Sequence, residues 1–265
     1  MIKFSIITIT YNAEKVIAPT LNSVLGQTYG NVEHIIIDGA STDNTLIKVK
    51  DYMEASYASA NGHDVSISSE PDEGIYDAMN KGIDKAKGDY ILFLNAGDSL
   101  PDNNTLMNIV EAADLKGISN DGYPMPAVLY GNTNIVDGSG AVLYPRRLTP
   151  PERLDWRSFR NGMLVCHQAF YARTDIAKHT KYNLMYRYSA DVDWCIRILR
   201  YADKHKLDVK NLHTVVAHYL EEGATTAHHK ESLVERYHIM SKYYGKIPTV
   251  LRHVKFFFRN LFSKH

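Results

Sequence analysis

The chain has 265 residues, of which 45% are hydrophobic and 23% are charged, and its 30 basic residues balance its 30 acidic ones. This composition is typical of a globular protein with a substantial core, and it excludes disordered, fibrous and strongly nucleic-acid-attracting chains. Two cysteines cannot build a disulfide framework or a cysteine zinc site, and the chain has neither a signal-peptide pattern nor an apolar run of roughly 20 residues, which predicts a cytoplasmic protein.

The first half of the chain alternates apolar, strand-like runs with helix-like segments. The predicted strands are "FSIITIT" (4–10), "VEHIIID" (32–38), "DVSISSE" (64–70) and "DYILFLN" (89–95). The predicted helices span 13–27, 43–56 and 76–87, with Asn12 as the cap of the first. Because parallel strands need crossover helices between them, this rhythm predicts a doubly wound α/β sheet.

The rhythm changes after Asp98. Residues 126–148 predict a hairpin that turns at 137–140, 164–173 predict a strand, and 191–205 predict a helix. These elements indicate a smaller, more antiparallel portion that packs on the first. The best candidate for a boundary is the loop-like stretch 117–126, whose length fits a surface loop as well as an interdomain hinge. It divides the chain into residues 1–125, residues 126–245 and a tail at 246–265.

Small and polar residues follow all four predicted strands of the first half. They are Thr10, Tyr11 and Asn12; Asp38, Gly39 and Ala40; Glu70, Pro71 and Asp72; and Asn95, Ala96, Gly97 and Asp98. In an open α/β sheet these ends converge at one edge, where ligands bind. Gly97 lets a ligand approach the backbone, and Asp98 offers a hard oxygen ligand for Mg²⁺ or Mn²⁺. The set outlines a nucleotide diphosphate site, although each residue alone is also an ordinary turn or cap former.

Three segments along this edge resemble one known family. The segments "SIITITYNAEKVIAPTLNSVLGQTY", "EHIIIDGASTDNT" and "SEPDEGIYDAMNKGIDKAKGDYILFLNAGD" look like the motifs of the inverting family 2 glycosyltransferases of the GT-A fold, in family order and spacing. The resemblance is strongest over residues 3–100 and continues more weakly to residue 226. It implies a Rossmann-like, mostly parallel sheet with flanking helices, a smaller mixed or antiparallel acceptor portion and a C-terminal helical tail.

The resemblance also implies roles for the strand-end residues. It assigns the nucleoside site to Thr10, Tyr11, Asn12 and Asp38, with the Asp38 carboxylate accepting from the uracil N–H. It places Asp72 near the uracil or ribose, and Asn80 and Lys81 near the donor sugar nucleotide.

The "NAGD" segment, residues 95–98, matches the metal motif of the family with one departure. Asp98 is implied to hold Mn²⁺ or Mg²⁺, and Asn95, Ala96 and Gly97 to line the donor site. Asn95 stands where the usual Asp-x-Asp motif has its first acid. Asp98 is therefore the only strong metal ligand that this motif supplies.

Inverting sugar transfer also needs a base that takes the acceptor proton on the face opposite the leaving diphosphate. Asp191 and Asp193 lie at the start of the helix predicted for 191–205, and Asp191 matches the catalytic acid of the family. An unperturbed Asp, with a pKa of about 3.9, is a weak base, so we expect burial or a neighbouring charge to raise the pKa of Asp191. Both acids would also simply suit a helix N-terminus, and Asp193 is the weaker candidate for the base.

Other residues of the second half are candidates for the functional site, and some of them also have a structural interpretation. His167 and Gln168, within "CHQAFYAR", resemble a family segment beside the donor or acceptor sugar, whereas a lone strand histidine is more often structural. His218 adds a candidate metal or diphosphate contact, and 223–226 resemble a loop that closes over the donor. Trp156 and Trp194 would suit sugar stacking, but burial in the core is the better prediction for both.

The tail combines positive charge with an apolar stripe. From 242 to 265 it contains six Lys or Arg and no acid. Its apolar positions are Ile247, Val250, Leu251, Val254, Phe257, Phe258, Leu261 and Phe262. This pattern predicts an amphipathic helix that binds an anionic membrane surface, so that the protein is peripheral at the inner face of the membrane. Docking of the stripe on its own domain is the alternative.

Together these features predict a metal-dependent inverting hexosyl- or N-acetylhexosaminyl-transferase. Residues 1–125 would bind a nucleotide sugar, UDP-linked by the resemblance, and 126–245 would bind the acceptor, a lipid-linked glycan for capsule, exopolysaccharide or lipopolysaccharide synthesis. Two other classes stay open: a nucleotidyltransferase that makes activated sugars, and a catalytically silent binding protein. Release of UDP, of pyrophosphate or of neither distinguishes the three.

Overall fold

The computed structural model describes residues 1–115, 125–221 and 229–262. The strands are β1 Phe4–Thr10, β2 Val32–Asp38, β3 Asp64–Ser69, β4 Tyr90–Phe93, β5 Val128–Val136, β6 Val142–Pro145, β7 Phe170–Arg173 and β8 Val209–Leu220. The helices are α1 Ile17–Leu25, α2 Thr45–Ala58, α3 Ile75–Lys85, α4 Thr105–Ala112, α5 Thr174–His179, α6 Ala190–His205, α7 His229–Tyr244 and α8 Lys246–Phe262. Two 3₁₀ turns, Ser158–Asn161 and His167–Ala169, complete the described elements.

One mixed sheet joins these strands in the order β3-β2-β1-β4-β7-β5-β6, and β8 pairs with β5. The first four strands are parallel, as the alternation of strands and helices predicts. β7 runs antiparallel to β4 and to β5, and β5 forms the predicted hairpin with β6. The doubly wound first half and the more antiparallel second portion are both confirmed.

The core explains why the central strands are so apolar. Every residue of β1, β2 and β4 is buried, because parallel strands are covered by helices on both faces. The same core continues into the second portion, where the Phe93 ring packs edge-on against Trp194 of α6 with ring centroids 5.7 Å apart. The predicted boundary at 117–126 lies, apart from its last two residues, outside the described residues, so the division into 1–125 and 126–245 stays a prediction.

Two predicted elements differ in the structure. The first helix begins at Ile17 rather than at residue 13, because Asn12 has φ 46°, which is incompatible with the extended backbone of an N-cap. Pro19 then falls in the first turn, where an amide hydrogen is not needed. The strand predicted for 164–173 forms only at β7, because His167–Ala169 turn away as a 3₁₀ helix. β8 and helices α4, α5 and α7 had no counterpart in the sequence analysis.

Glu33 is a buried carboxylate whose charge is balanced by partners within the protein. It lies on β2, and its Oε1 accepts hydrogen bonds from the Ser5 hydroxyl and from the Lys87 and Gly88 amides, while Oε2 lies 3.5 Å from Lys3 Nζ. Burial alone would raise the pKa of Glu33, but these hydrogen bonds and Lys3 outweigh it and hold the pKa below its usual value. The ionised form is therefore the one that the fold stabilises.

We expect Glu33→Gln to lower the free energy of unfolding by about 1 to 2 kcal/mol at pH 7, because the amide keeps one acceptor oxygen but loses the charge. A carboxyl whose folded pKa is depressed stabilises above its unfolded pKa, about 4.3, and loses that stabilisation as the pH falls through the folded value. The difference between the variant and the unsubstituted protein should therefore shrink below about pH 4. Urea unfolding from pH 7 to pH 3 measures it, with Asp64→Asn, at an exposed partner of Lys3, as the control. A difference that is constant with pH would contradict the assignment.

Candidate functional site

The four parallel strands bring the predicted strand-end residues to one edge of the sheet. Thr10, Asp38 and Ser69 are paired in register across β1, β2 and β3. The segment 95–98 follows β4 at the same edge, where the Ala96 amide donates to the Ile9 carbonyl. The α3 N-terminus and the loop 70–74 complete the side of the edge next to β3. This edge is the candidate active site.

Asp38 forms the floor of the site. It is fully buried, and its Oδ2 accepts from the Ser41 amide at 2.9 Å and from the Ser69 hydroxyl at 2.7 Å, while Oδ1 accepts from the Ser41 hydroxyl. These bonds fix the direction of the carboxylate and use part of its acceptor capacity. Thr10 lies beside it on β1 with its hydroxyl buried and unpartnered among the described residues.

Tyr11 and Asn12 differ in how freely they reach the edge. Tyr11 is 64% exposed and its ring lies next to Gly39. Asn12 is held by the following loop, because its Oδ1 accepts from the Thr42 amide at 2.9 Å and its own amide donates to the Ser41 hydroxyl. The Tyr11 ring is therefore the more available surface for a planar ligand group.

Asp72 closes the side of the edge next to Gly39. A Cβ on Gly39 would lie 2.6 Å from Asp72 Oδ2, so glycine at this position lets the carboxylate approach the β2 end. The other oxygen, Oδ1, accepts from the Gly74 amide just before α3.

Asn80 and Lys81 brace the site from α3. The Asn80 amide group donates to the Tyr182 carbonyl at 3.0 Å and accepts from the Tyr182 amide at 2.8 Å. Lys81 Nζ donates to the Pro71 carbonyl and pairs with Glu70 at 3.4 Å. Both side chains are thus engaged within the protein, and their predicted contact with the donor stays a prediction.

Asp98 is buried and its two oxygens have different donors. Oδ2 accepts from Gln168 Nε2 at 2.8 Å and Oδ1 from the Leu220 amide at 3.1 Å. Burial raises the pKa of Asp98 to about 6, against the hydrogen bonds from Gln168 and Leu220, which lower it. Gly97 has φ 100°, a left-handed conformation that favours glycine, and a Cβ there would lie 2.7 Å from Leu220 Cδ2. The sequence expectation, in which Gly97 lets a ligand approach the backbone, stays a prediction.

The atoms around Asp98 fit a hard divalent cation through oxygen. Asn95 Oδ1 and Gln168 Oε1 are buried acceptors without a hydrogen-bond partner among the described residues. His218 lies opposite Ser99 in a β-bridge, and burial lowers its pKa, so the imidazole is neutral. Within the described ranges, no group of three or more His, Cys, Asp or Glu could hold a metal ion. The donor set is therefore one carboxylate with amide oxygens, which suits Mg²⁺ or Mn²⁺ shared with a phosphate ligand.

Asp191 lies in the first turn of α6 with 16% of its side chain exposed. Its Oδ1 accepts from the Tyr76 hydroxyl at 3.3 Å, and its Oδ2 lies 3.7 Å from His167 Nδ1. Burial raises the pKa of Asp191, but His167 and Arg236 outweigh it and leave the pKa below the usual value. The expected increase of this pKa is therefore wrong, and Asp191 is an ionised acceptor at neutral pH.

His167 connects Asp191 to the end of β4. Its Nε2 lies 3.2 Å from Asn95 Nδ2, and Nδ1 faces Asp191. With the Asn95 amide as donor, Nε2 accepts and the ring proton lies on Nδ1. The residue that departs from the metal motif is thus linked through one imidazole to the candidate base.

Asp193 has no opening to the site. It is fully buried and accepts from Arg197 Nε at 2.5 Å and from the Tyr243 hydroxyl at 2.7 Å, with Lys242 Nζ at 3.4 Å.

Trp194 is fully buried, as predicted, whereas Trp156 is only partly buried and stacks on Tyr244. The sequence analysis missed Tyr76 and Ser41, because neither has a local motif that marks it. The loop predicted at 223–226 lies outside the described residues.

Comparisons with known proteins agree with this architecture. The family model described as "Glycosyl transferase family 2" matches residues 5–180. A "PGL/p-HBAD biosynthesis glycosyltransferase" of Mycobacterium bovis is 36% identical over 221 residues, which are 83% of this chain and 77% of that protein. The Escherichia coli "UDP-Glc:alpha-D-GlcNAc-diphosphoundecaprenol beta-1,3-glucosyltransferase WfgD" is 31% identical over 148 residues, 55% of this chain and 52% of that protein. The crystal structure of S. aureus TarS 1-349 in complex with UDP-GlcNAc superposes with a TM-score of 0.68 at 21% identity, over 90% of this chain and 64% of that one.

Proposed function

Because this chain belongs to glycosyl transferase family 2 and has the GT-A fold, we propose that it transfers a hexosyl or N-acetylhexosaminyl group from a UDP-sugar to a hydroxyl of a lipid-linked glycan, with inversion. The observation that supports this function best is the position of Asp191. An ionised carboxylate is linked through His167 to the strand end that carries Asn95 and Asp98. A proton acceptor and a diphosphate site therefore belong to one connected cluster.

The donor site in this proposal follows the edge of the sheet. The uracil stacks near Tyr11, its N–H donates to Asp38, and Asp72 lies at the ribose. Asn95 and Gln168, whose amide oxygens are buried and unpartnered among the described residues, would hold the cation and sugar together with Asp98. The TarS complex supports UDP as the nucleotide, and residues 1–125 then form the donor half and 126–245 the acceptor half.

The chemistry in this proposal is one in-line displacement. Asp191 accepts the proton of the acceptor hydroxyl as the new C–O bond forms, and His167, with Nδ1 3.7 Å from Asp191 Oδ2, favours the ionised carboxylate. A Mn²⁺ or Mg²⁺ ion held by Asp98, with His218 as a further candidate, would supply positive charge for the leaving diphosphate. No covalent intermediate is needed, so an α-linked donor gives a β-linked product.

A panel of UDP-, GDP- and dTDP-sugars with Mn²⁺ or Mg²⁺ and an undecaprenyl-diphosphate glycan acceptor tests this function. We expect acceptor-dependent release of UDP. Release of pyrophosphate instead would indicate a nucleotidyltransferase, and binding without release of either would indicate a silent binding protein. The polyprenyl acceptor is chosen because the WfgD name specifies that class of acceptor for that enzyme.

We also propose that the tail places the protein at an anionic membrane surface in capsule, exopolysaccharide or lipopolysaccharide synthesis. In α8, Ile247, Val250, Leu251 and Val254 are spaced along one face and are 77%, 46%, 66% and 48% exposed. Thr249 is buried, and Arg252 contacts Asn161 in a 3₁₀ turn. Over residues 247–254 the helix thus meets the domain with its other side, which supports an exposed apolar stripe in that part of α8. Among the described residues, no helix is long and apolar enough to cross a bilayer.

We expect the protein to sediment with vesicles that contain anionic lipid, and rising salt to release it, because each basic residue near the surface contributes about 1 kcal/mol. Ile247→Glu should weaken this binding at least tenfold, since it places a charge in the apolar stripe. Ile47→Glu, at a 57% exposed isoleucine on α2, is the matched control and should bind normally. Equal binding by both variants would favour another surface of the protein.

A further inference from the structure

Helix α7 holds the chain segment that leads into α6, the helix that carries Asp191. The Glu235 carboxylate accepts three backbone hydrogen bonds from this segment: Oε1 from the Arg187 amide at 2.7 Å, and Oε2 from the Tyr188 and Ser189 amides, each at 2.8 Å. Three convergent amides on one carboxylate are charge-assisted bonds, which are stronger than bonds between neutral groups. Glu235 is thus tightly engaged.

These contacts fix the chain at and just before the N-cap of α6. Ser189 occupies the N-cap position, but its side chain makes no capping bond to the helix. Its hydroxyl instead pairs with the Ser232 hydroxyl at 2.9 Å, one turn before Glu235 on α7. A carboxylate at a helix N-terminus also interacts favourably with the helix dipole. α7 therefore anchors the segment 187–189 that leads into α6.

Asp191 lies two residues after this latch. Its own side-chain partners are at long distances, 3.3 Å from the Tyr76 hydroxyl and 3.7 Å from His167 Nδ1. Side-chain bonds of that length hold a carboxylate loosely, so the backbone position at the start of α6 decides where it points. The three amides held by Glu235 lie immediately before that position.

We propose that Glu235 is a positioning residue, which holds Asp191 where it reaches the acceptor hydroxyl. This inference rests on the proposed role of Asp191 as the base. A reacting group displaced by about 1 Å loses on the order of 10²-fold in rate. Release of the latch therefore lowers turnover, while the donor site at the ends of β1 to β4 is untouched.

The test compares Glu235→Ala and Glu235→Gln with two controls in full-length protein. Glu231→Ala removes an exposed carboxylate one turn earlier on α7. Tyr243→Phe removes the hydroxyl bond to Asp193 at the other end of α7, and so loosens the packing of α7 on α6 away from 187–189. For each variant we measure kcat, the KM for the donor, UDP affinity, Tm and amide hydrogen exchange over 186–192.

We expect Glu235→Ala to lower kcat on the order of 10²-fold with donor KM and UDP affinity unchanged, and Glu235→Gln to fall between, since its amide keeps one acceptor oxygen. Amide hydrogen exchange at 187–189 should be fastest in Glu235→Ala and intermediate in Glu235→Gln, and Glu231→Ala should match the unsubstituted protein. If the decrease in kcat of Glu235→Ala follows its decrease in Tm, and Tyr243→Phe shows the same relation between kcat and Tm, Glu235 is merely structural and the inference is wrong. Unchanged exchange at 187–189 in Glu235→Ala also overturns it.

The exchange measurement separates this inference from the proposed function. If the unsubstituted protein transfers no sugar from any donor of the panel, the proposed function fails, yet faster exchange at 187–189 in Glu235→Ala would still support the latch. If transfer occurs and kcat is the same in Glu235→Ala, the function stands and the positioning role is overturned.

Discussion

Asp191→Asn should lower the single-turnover rate of sugar transfer on the order of 10²- to 10⁴-fold, the range typical of a lost general base. The amide keeps the size of the side chain and an oxygen that accepts from the Tyr76 hydroxyl, but it cannot take the acceptor proton. Because Asp191 lies on α6 and not at the nucleotide, UDP affinity measured by calorimetry should stay unchanged.

Asp193→Asn is the matched control for this prediction. Asp193 is on the same turn of α6, but its carboxylate is buried against Arg197, Lys242 and Tyr243. The substitution removes the buried charge that pairs with Arg197 and Lys242, so we expect a lower Tm with near-normal transfer per folded molecule. Near-normal transfer by Asp191→Asn would remove Asp191 as the base, and equal rate losses in both variants would mean that the helix start is simply disturbed.

The stereochemistry of the product gives an independent check. One displacement with Asp191 as the base inverts the anomeric carbon, because the proton acceptor and the leaving diphosphate act on opposite faces. The anomeric coupling in the NMR spectrum of the product should therefore show a β-linkage from an α-linked donor. A product with retained configuration would exclude this mechanism whatever the mutant rates are.

The parallel half of the fold could be predicted because its signals are local. β1, β2 and β4 are buried on both faces and appear in the sequence as continuous apolar runs, separated by helix-length segments. β8 could not be predicted, since Asn211, His213 and Thr214 interrupt its apolar pattern and its partner, β5, lies about 80 residues earlier. Its place in the sheet depends on that distant pairing.

The candidate site likewise has a part that could be predicted from the sequence and a part that could not. The strand-end residues were predictable, because the ends of parallel strands always meet at one edge. The contacts that surround Asp191 were not, since Tyr76 lies 115 residues away and His167 reaches it from a turn that the sequence predicts as a strand. The pKa of Asp191 was wrongly expected to rise because a base with an unperturbed pKa would be weak, whereas His167 and Arg236, which lower the pKa, are neighbours only in the fold.

Asp98→Asn should abolish the part of UDP affinity that depends on Mn²⁺ and lower transfer on the order of 10²- to 10³-fold, comparable to the loss of one electrostatic partner in a transition state. The fold should survive, because an amide oxygen can still accept from the Leu220 amide. Gln168 can turn its unpartnered Oε1 towards the new NH₂ group, so both hydrogen bonds at this position are kept. Only the charge is lost, and a single carboxylate is what the motif offers a cation.

Calorimetry of UDP binding with and without Mn²⁺ tests this prediction, and two further variants serve as comparisons. Asp102→Asn, at an exposed carboxylate four residues further on, should behave like the unsubstituted protein. Asp38→Ala should weaken UDP binding equally with and without metal and leave pyrophosphate binding intact, because its proposed partner is the base and not the diphosphate. If Asp98→Asn keeps the full Mn²⁺ dependence in a folded protein, Asp98 does not hold the cation, and the unpartnered oxygens of Asn95 and Gln168 serve another ligand group.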